Sequence, residues 1–225
     1  MAGRAFVWIG GALFVLSLSC CVWLYGVVLG RSIPFDGWPP VVADSALVTI
    51  FALHHSLFAR DRVKVWVNRA VASTLLRSTY VWIASLLLML VCLAWQPIGG
   101  EIYRATGLLA IALMACQVAG FWLTARGVAR IDPLELAGIH PASQSQGLQV
   151  AGPYRWVRHP LYLGWALMVF AAPHMTGDRL AFAALTTGYL IAAIPWEERS
   201  LRQSFGEGYV RYSRDVKWRM IPFIY

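Results

Sequence analysis

The sequence predicts an all-α integral membrane bundle of about five to six transmembrane segments, closed by a C-terminal helical hairpin and a cytoplasmic amphipathic tail helix. Three observations carry that expectation. Hydrophobic residues make up 59% of the 225 positions and charged residues only 13%, about half the charged share of an ordinary soluble domain. Uncharged runs long enough to cross a bilayer recur along the chain. The basic residues collect in alternate connections rather than in all of them. At this length a single domain over residues 1–225 is expected, with four spans in 1–126 and the remaining machinery in 127–225.

The first span is the uncharged run of 25 residues at 5–29, which exceeds what a hydrocarbon core of about 30 Å requires. A Pro- and Gly-containing break at 31–40 ends it. The second span, about 41–59, carries Asp44, His54 and His55. Residues 60–77 interleave Arg60, Arg62, Lys64, Arg69 and Arg77 with Val and Trp, a pattern suited to an interfacial amphipathic segment. A third span covers about 78–96 and stops at Pro97-Ile-Gly-Gly100. The fourth runs from Ala105 to Ala125 without a charge. A polar stretch follows at 126–160, with Gly, Pro, Ser and Gln in its middle. The last apolar region, 161–196, is broken by turn residues at 172–179 and reads as a hairpin of two short spans. In the tail, Leu201, Phe205, Tyr209, Tyr212 and Val216 recur at three or four residues between arginines, which predicts a surface amphipathic helix weakened by Gly206 and Gly208.

Six spans place 16 of the 19 Lys and Arg residues on one side and leave Arg31, Arg104 and Arg179 on the other. The positive-inside rule then puts both termini in the cytoplasm. The net charge of +8 sits at the ends of apolar runs, so anionic lipid headgroups are its expected partner and nucleic acid is not. Cys20, Cys21, Cys92 and Cys116 lie in apolar segments without a C-x-x-C pair and read as small buried hydrophobes, with no metal set. Nothing in the sequence calls for an obligate protein partner.

The densest polar constellation is Gly152-Pro-Tyr-Arg-Trp-Val-Arg-His-Pro-Leu-Tyr-Leu-Gly164, and some forty residues later comes Trp196-Glu197-Glu198-Arg199. A hairpin returns both to one face, bringing Tyr154, Arg158, His159 and Tyr162 near two adjacent carboxylates. Two readings stand at this point. The Arg and Tyr side chains anchor helix ends at the headgroups, or the group lines a polar cavity, because charge near membrane depth is costly and tends to be functional. Paired carboxylates also need a positive partner if both are to stay ionised.

This pattern, followed by Phe205-Gly-x-x-Tyr-x-x-Tyr212 and Ile221-Pro222, resembles the isoprenylcysteine carboxyl methyltransferase superfamily over about residues 150–222. Phe51-Ala-Leu-His-His-Ser-Leu-Phe-Ala-Arg60, Arg77-Ser-Thr-Tyr80 and Ala172-Pro-His-Met-Thr176 are similar to the bacterial methanethiol S-methyltransferases, which make dimethyl sulfide. NnrU-like membrane proteins share a His-Ser-containing second span. The resemblance implies an enzyme that binds S-adenosylmethionine in a cytoplasm-facing pocket and methylates a small hydrophobic thiol. Two alternatives remain: a prenylcysteine carboxylate or other lipophilic acceptor, or a non-catalytic NnrU-like accessory or transport protein.

Under that resemblance the cofactor-binding candidates are Tyr154, Arg158, His159, Pro160, Tyr162, Gly164, Glu197 and Glu198. Arg158 and His159 are candidates for the cofactor carboxylate, Tyr154 or Tyr162 for the nucleoside, and Glu197 or Glu198 for the ammonium or ribose hydroxyls. The chain has no G-x-G-x-x-G loop after a strand, so discrete side chains must do this work. The catalytic candidates are His54, His55, Arg158 and His159. A thiol must lose its proton to become a nucleophile, and any of the three histidines is placed to be considered for it. The other reading of His54 and His55 is a hydrogen bond that packs helices inside the bundle.

Overall fold

The computed structural model describes residues 2–58, 60–129, 133–140 and 147–225. Among the described residues, five helices are long and apolar enough to cross a membrane: Gly3–Val28, Pro39–Phe58, Ser73–Ala94, Gly107–Val128 and Gly177–Phe205. Leu93, Leu108, Val118 and Phe121 stand exposed along them, as lipid-facing side chains do. The protein is an all-α integral membrane bundle. The chain divides into two compact units.

The first unit comprises residues 1–102, 131–144 and 176–178. It contains α1 (Ala2–Trp23, continued by a π-helical turn at Leu24–Val28), α2 (Pro39–Phe58), the short α3 (Asp61–Val67), α4 (Leu76–Ala94) and the single turn α6 (Pro133–Leu136). Helices α1 and α2 both pack on α4. The stacked rings of Phe6 and Trp82 lie 5.4 Å apart, and Trp82 donates its indole N–H to the Phe6 carbonyl at 3.0 Å. Two buried carboxylates organise the turn after α4. Asp178 accepts from the Trp95 indole and from the Ile98 and Gly99 amides, while Asp44 accepts from the Gln96 amide. Donors from a proline-interrupted turn are thereby satisfied inside protein, as membrane depth demands.

The second unit comprises residues 103–130, 145–175 and 179–225. It contains α5 (Gly107–Val128), α7 (Pro160–Phe170), nearly all of α8 (Gly177–Phe205) and α9 (Glu207–Asp215). Helices α5 and α7 cross at small residues. A Cβ on Gly120 would lie 2.6 Å from the Gly164 carbonyl oxygen, so glycine is what permits this approach. Helices α7 and α8 are joined by longer side chains: Trp165 donates to Thr186 Oγ1 at 3.0 Å and packs on Phe182. Two short strands, β1 (Glu101–Arg104) and β2 (His174–Thr176), form a two-stranded sheet. The sequence reading did not foresee it.

Three expectations change in detail. The C-terminal hairpin has unequal arms of 11 and 29 residues instead of two short spans. At 1.5 Å per residue α7 rises only about 16 Å, because Pro173 soon follows its end and cannot continue a helix. Helix α8 runs on through Pro195 and the Glu-Glu pair, whose charges find partners. The tail is not one helix, since Gly206 at φ +52° turns the chain between α8 and α9 in a conformation that suits glycine. The expected interfacial segment at 60–77 is also interrupted: α3 ends at Val67 and a 3-10 turn at Ser73–Leu75 leads into α4. The Ser- and Gln-containing residues 141–146 of the 126–160 stretch lie outside the described residues.

Candidate active site

The site of the second unit begins with the backbone. Residues 158 and 159 lie just before α7, outside any helix or strand, and their amides donate to the carbonyls of Trp218 and Arg219 at 2.9 and 2.7 Å. Pro160 then opens α7 at a position where its missing N–H costs nothing. The motif is thus held against the end of the chain, and its side chains turn toward α8.

Arg158 is the hub. Its Nε donates to Glu198 Oε1 at 2.6 Å, with the two side chains 9% and 7% exposed. Its NH1 donates to the carbonyls of Val216 and Lys217 at 2.9 and 3.0 Å. The guanidinium therefore ties α8 to the segment after α9. Arg219 approaches the other oxygen of Glu198, Nε to Oε2 at 3.3 Å. Its own place is fixed by Tyr225, which accepts from NH1 at 3.0 Å and lies beneath the guanidinium at 5.3 Å. Interaction with Tyr225 is also the main reason the Arg219 pKa is raised.

His159 is 5% exposed and stacks on Tyr162 at 5.3 Å. Its Nδ1 lies 3.5 Å from Glu197 Oε2 and its Nε2 3.5 Å from Glu198 Oε1. Among the described residues the buried Nε2 has no hydrogen-bond partner. Burial alone would depress its pKa, but Glu197 and Glu198 together outweigh burial and raise it above the ordinary 6.5. Tyr162 donates to Glu197 Oε2 at 2.7 Å. Glu197 keeps 45% of its side chain exposed, in contrast to Glu198 beside it.

Tyr154 packs against Tyr209, Tyr212 and Val216, and its carbonyl accepts from the Tyr212 hydroxyl at 2.8 Å. Burial, then the charge of Glu197, pushes the Tyr154 pKa up. The Tyr209 hydroxyl is buried without a partner among the described residues, and burial followed by the charge of Glu198 raises its pKa to about 12.

Tyr154, Arg158, His159, Tyr162, Glu197 and Glu198 accordingly come together, and Pro160 opens the helix beneath them. Gly164 faces elsewhere: an added Cβ would strike Thr124 and the Gly120 carbonyl on α5, which gives it a packing task. His54 and His55 belong to the first unit. There His55 Nδ1 is hydrogen-bonded to the Tyr80 hydroxyl, and His54 stacks on Tyr80 at 5.6 Å. Arg219 and Tyr225 were not singled out from sequence. The only hint was that adjacent carboxylates need positive partners.

Similarity to known proteins covers nearly the whole chain. It is 34% identical to the methanethiol S-methyltransferase of Crocosphaera subtropica over 98% of this chain and 93% of that protein. It is 36% identical to methanethiol S-methyltransferase 1 of Bradyrhizobium diazoefficiens over 81% of this chain and 67% of that protein. The chain belongs to the methanethiol S-methyltransferase family. Human nurim is also similar, at 29% identity over 72% of this chain and 68% of nurim. No family model matches the chain, and no solved structure matches it significantly. The C-terminal cluster thus lies in a member of the methanethiol S-methyltransferase family.

Proposed function

We propose that the protein transfers a methyl group from S-adenosylmethionine to methanethiol, giving dimethyl sulfide, in a bacterial inner membrane with both termini cytoplasmic. Membership of the methanethiol S-methyltransferase family carries the reading. The C-terminal cluster supports the donor. It offers a cationic molecule the half-exposed Glu197 carboxylate, and His159 Nε2, which makes no hydrogen bond among the described residues, suits a ligand polar group. With the short α7 counted as a sixth crossing beside the five long helices, the sorting of basic residues to one side supports the orientation.

Glu197 would hold the ammonium or ribose hydroxyls of the donor, His159 its carboxylate, and Tyr154 and Tyr162 the nucleoside. The donor supplies a methyl carbon activated by a positively charged sulfur. Arg158 works by positioning, since its Nε is committed to Glu198 and its Nη1 to the tail carbonyls. The protein's remaining tasks are alignment and exclusion of water. An alkyl thiol is only slightly ionised at neutral pH, so it must lose its proton before attack. In the balanced reaction the thiolate sulfur forms a bond to the methyl carbon while the bond from carbon to the donor sulfur breaks, and the thiol proton leaves to a base. Of the two acceptor-side candidates, His54 and His55, His54 is the one kept. The Tyr80 hydroxyl occupies His55 Nδ1, whereas His54 keeps a buried Nε2 without a partner among the described residues.

The test is headspace detection of dimethyl sulfide from detergent-purified protein given S-adenosylmethionine and methanethiol, beside Arg158→Ala and Glu197→Gln. Product from wild type that collapses in both variants is expected. Cofactor binding by calorimetry without product would discard the thiol in favour of a lipophilic acceptor. Neither binding nor product would overturn the enzyme reading and leave an accessory role.

A further inference from the structure

The first unit contains a cavity of about 670 Å³, lined in part by His55, whose Nδ1 the Tyr80 hydroxyl already occupies. Its size falls in the range of sites for whole organic ligands and far exceeds a molecule of two heavy atoms such as methanethiol. It is an elongated space, not a compact one. On α4 its wall runs from Arg77 through Tyr80 and Ala84 to Leu88, about 16 Å at 1.5 Å per residue.

The wall is sorted by polarity. Lys64 and Arg77 stand at one end, both half-buried. The Arg77 Nε is fixed by the Glu135 carbonyl at 2.7 Å, so this cation is held at the rim. One turn further along α4 lies the hydrogen-bonded pair Tyr80 and His55. Beyond it, Ala84 and Leu88 continue a mainly apolar wall with Phe14 and Leu18 of α1, in which Ser17 and Ser85 are the polar members. Two cations, then a polar pair, then hydrocarbon reproduces the order of phosphate, ester linkage and acyl chain in a glycerophospholipid. Like any molecule that presents its headgroup to a basic connection, such a lipid is favoured when it is anionic.

From this ordering we infer that the first unit holds one anionic glycerophospholipid, its phosphate at Lys64 and Arg77 and one acyl chain along Ala84 and Leu88. The lipid is a resident ligand that completes the packing of α1, α2 and α4. It is not a substrate, and its binding does not depend on the methyl-transfer reading.

Native mass spectrometry tests this on the full chain purified from nanodiscs of phosphatidylglycerol and phosphatidylcholine in equal amounts. Wild type should retain one phosphatidylglycerol. Ala84→Trp, which fills the apolar wall, should lose it, while Leu108→Trp on the exposed face of α5 should not. Lys64→Gln leaves the apolar wall intact and should reduce the preference for phosphatidylglycerol over phosphatidylcholine about fivefold, the weight of one basic side chain at an anionic surface. Equal retention of both lipids by wild type, retention of a free fatty acid in their place, or unchanged retention in Ala84→Trp would each overturn the assignment.

Discussion

Replacing Glu198 with Gln isolates the charge at the centre of the C-terminal cluster while preserving its shape. The carboxylate meets Arg158 at 2.6 Å, Arg219 at 3.3 Å and His159 at 3.5 Å. Only the first of these is both short and buried. A charge-assisted hydrogen bond contributes about 1.5–3 kcal/mol, and Gln keeps a neutral acceptor of about half that strength. Arg219 is 37% exposed, so solvent screening limits its share to about 0–1 kcal/mol. The amide of Gln also turns an N–H toward one of two arginine donors. The expected loss is therefore about 2–3 kcal/mol for Gln, against about 3–5 kcal/mol for Ala, which strands a buried guanidinium. Unfolding titrations in detergent, read through the chain's 11 tryptophans, measure both. Arg158→Met on the Glu198→Gln background completes a double-mutant cycle. A coupling below about 0.5 kcal/mol, the limit expected of independent sites, would refute the claim that this pair is the lock of the cluster.

Four further outcomes follow from the same geometry. Tyr162→Phe removes the donor to Glu197 at 2.7 Å; because Glu197 is half-exposed, water replaces most of it, so stability should fall by under about 1 kcal/mol while the calorimetric Kd for S-adenosylmethionine rises. Gly164→Ala drives a methyl group into Thr124 and the Gly120 carbonyl and should cost about 1–3 kcal/mol or more, seen as a lower Tm. The folded-state pKa of His159 is raised by Glu197 and Glu198 against burial; the stabilisation by its charge is complete below 6.5 and lost as pH rises through the folded value, so the fall in Tm across that window should vanish in His159→Gln. Tyr225→Phe keeps the ring under Arg219 but removes the hydroxyl at 3.0 Å, and should raise KM for the donor more than it lowers kcat; an unchanged KM would remove Tyr225 as a positioning residue.

Much of this site was legible because its signals are local. The run from Gly152 to Gly164 and the Glu197-Glu198 pair are dense polar islands in apolar sequence, and a hairpin brings them together whatever its details. Span positions were equally readable, since charge at membrane depth is costly enough to punctuate the chain. What escaped was non-local or backbone-borne. Arg219 looks like one of six basic residues in the tail, and only the pairing of residues 158 and 159 with 218 and 219 selects it. The length of α8 was hidden because Glu197 and Glu198 look like a helix exit until their partners are known. Gly164 was read with the motif around it, and only its close approach to Gly120 and Thr124 reveals a packing task.

The adjacent carboxylates illustrate how burial divides what sequence leaves equivalent. Glu197 and Glu198 are neighbours on one helix, about 100° apart around its axis, so one turns inward where the other keeps contact with solvent. Glu198 is 7% exposed and bracketed by two arginines from segments sixty residues apart; its charge is consumed in joining α7, α8 and the tail. Glu197 is 45% exposed, and its contacts include Tyr162 and His159. A cation entering the cluster would therefore find Glu198 buried between two arginines and Glu197 the more accessible of the two. Under the proposed function, Glu198 would then build the pocket and Glu197 would recognise the donor. Glu197→Gln should accordingly weaken donor binding at nearly unchanged stability, while Glu198→Gln should lower stability first and binding as its consequence.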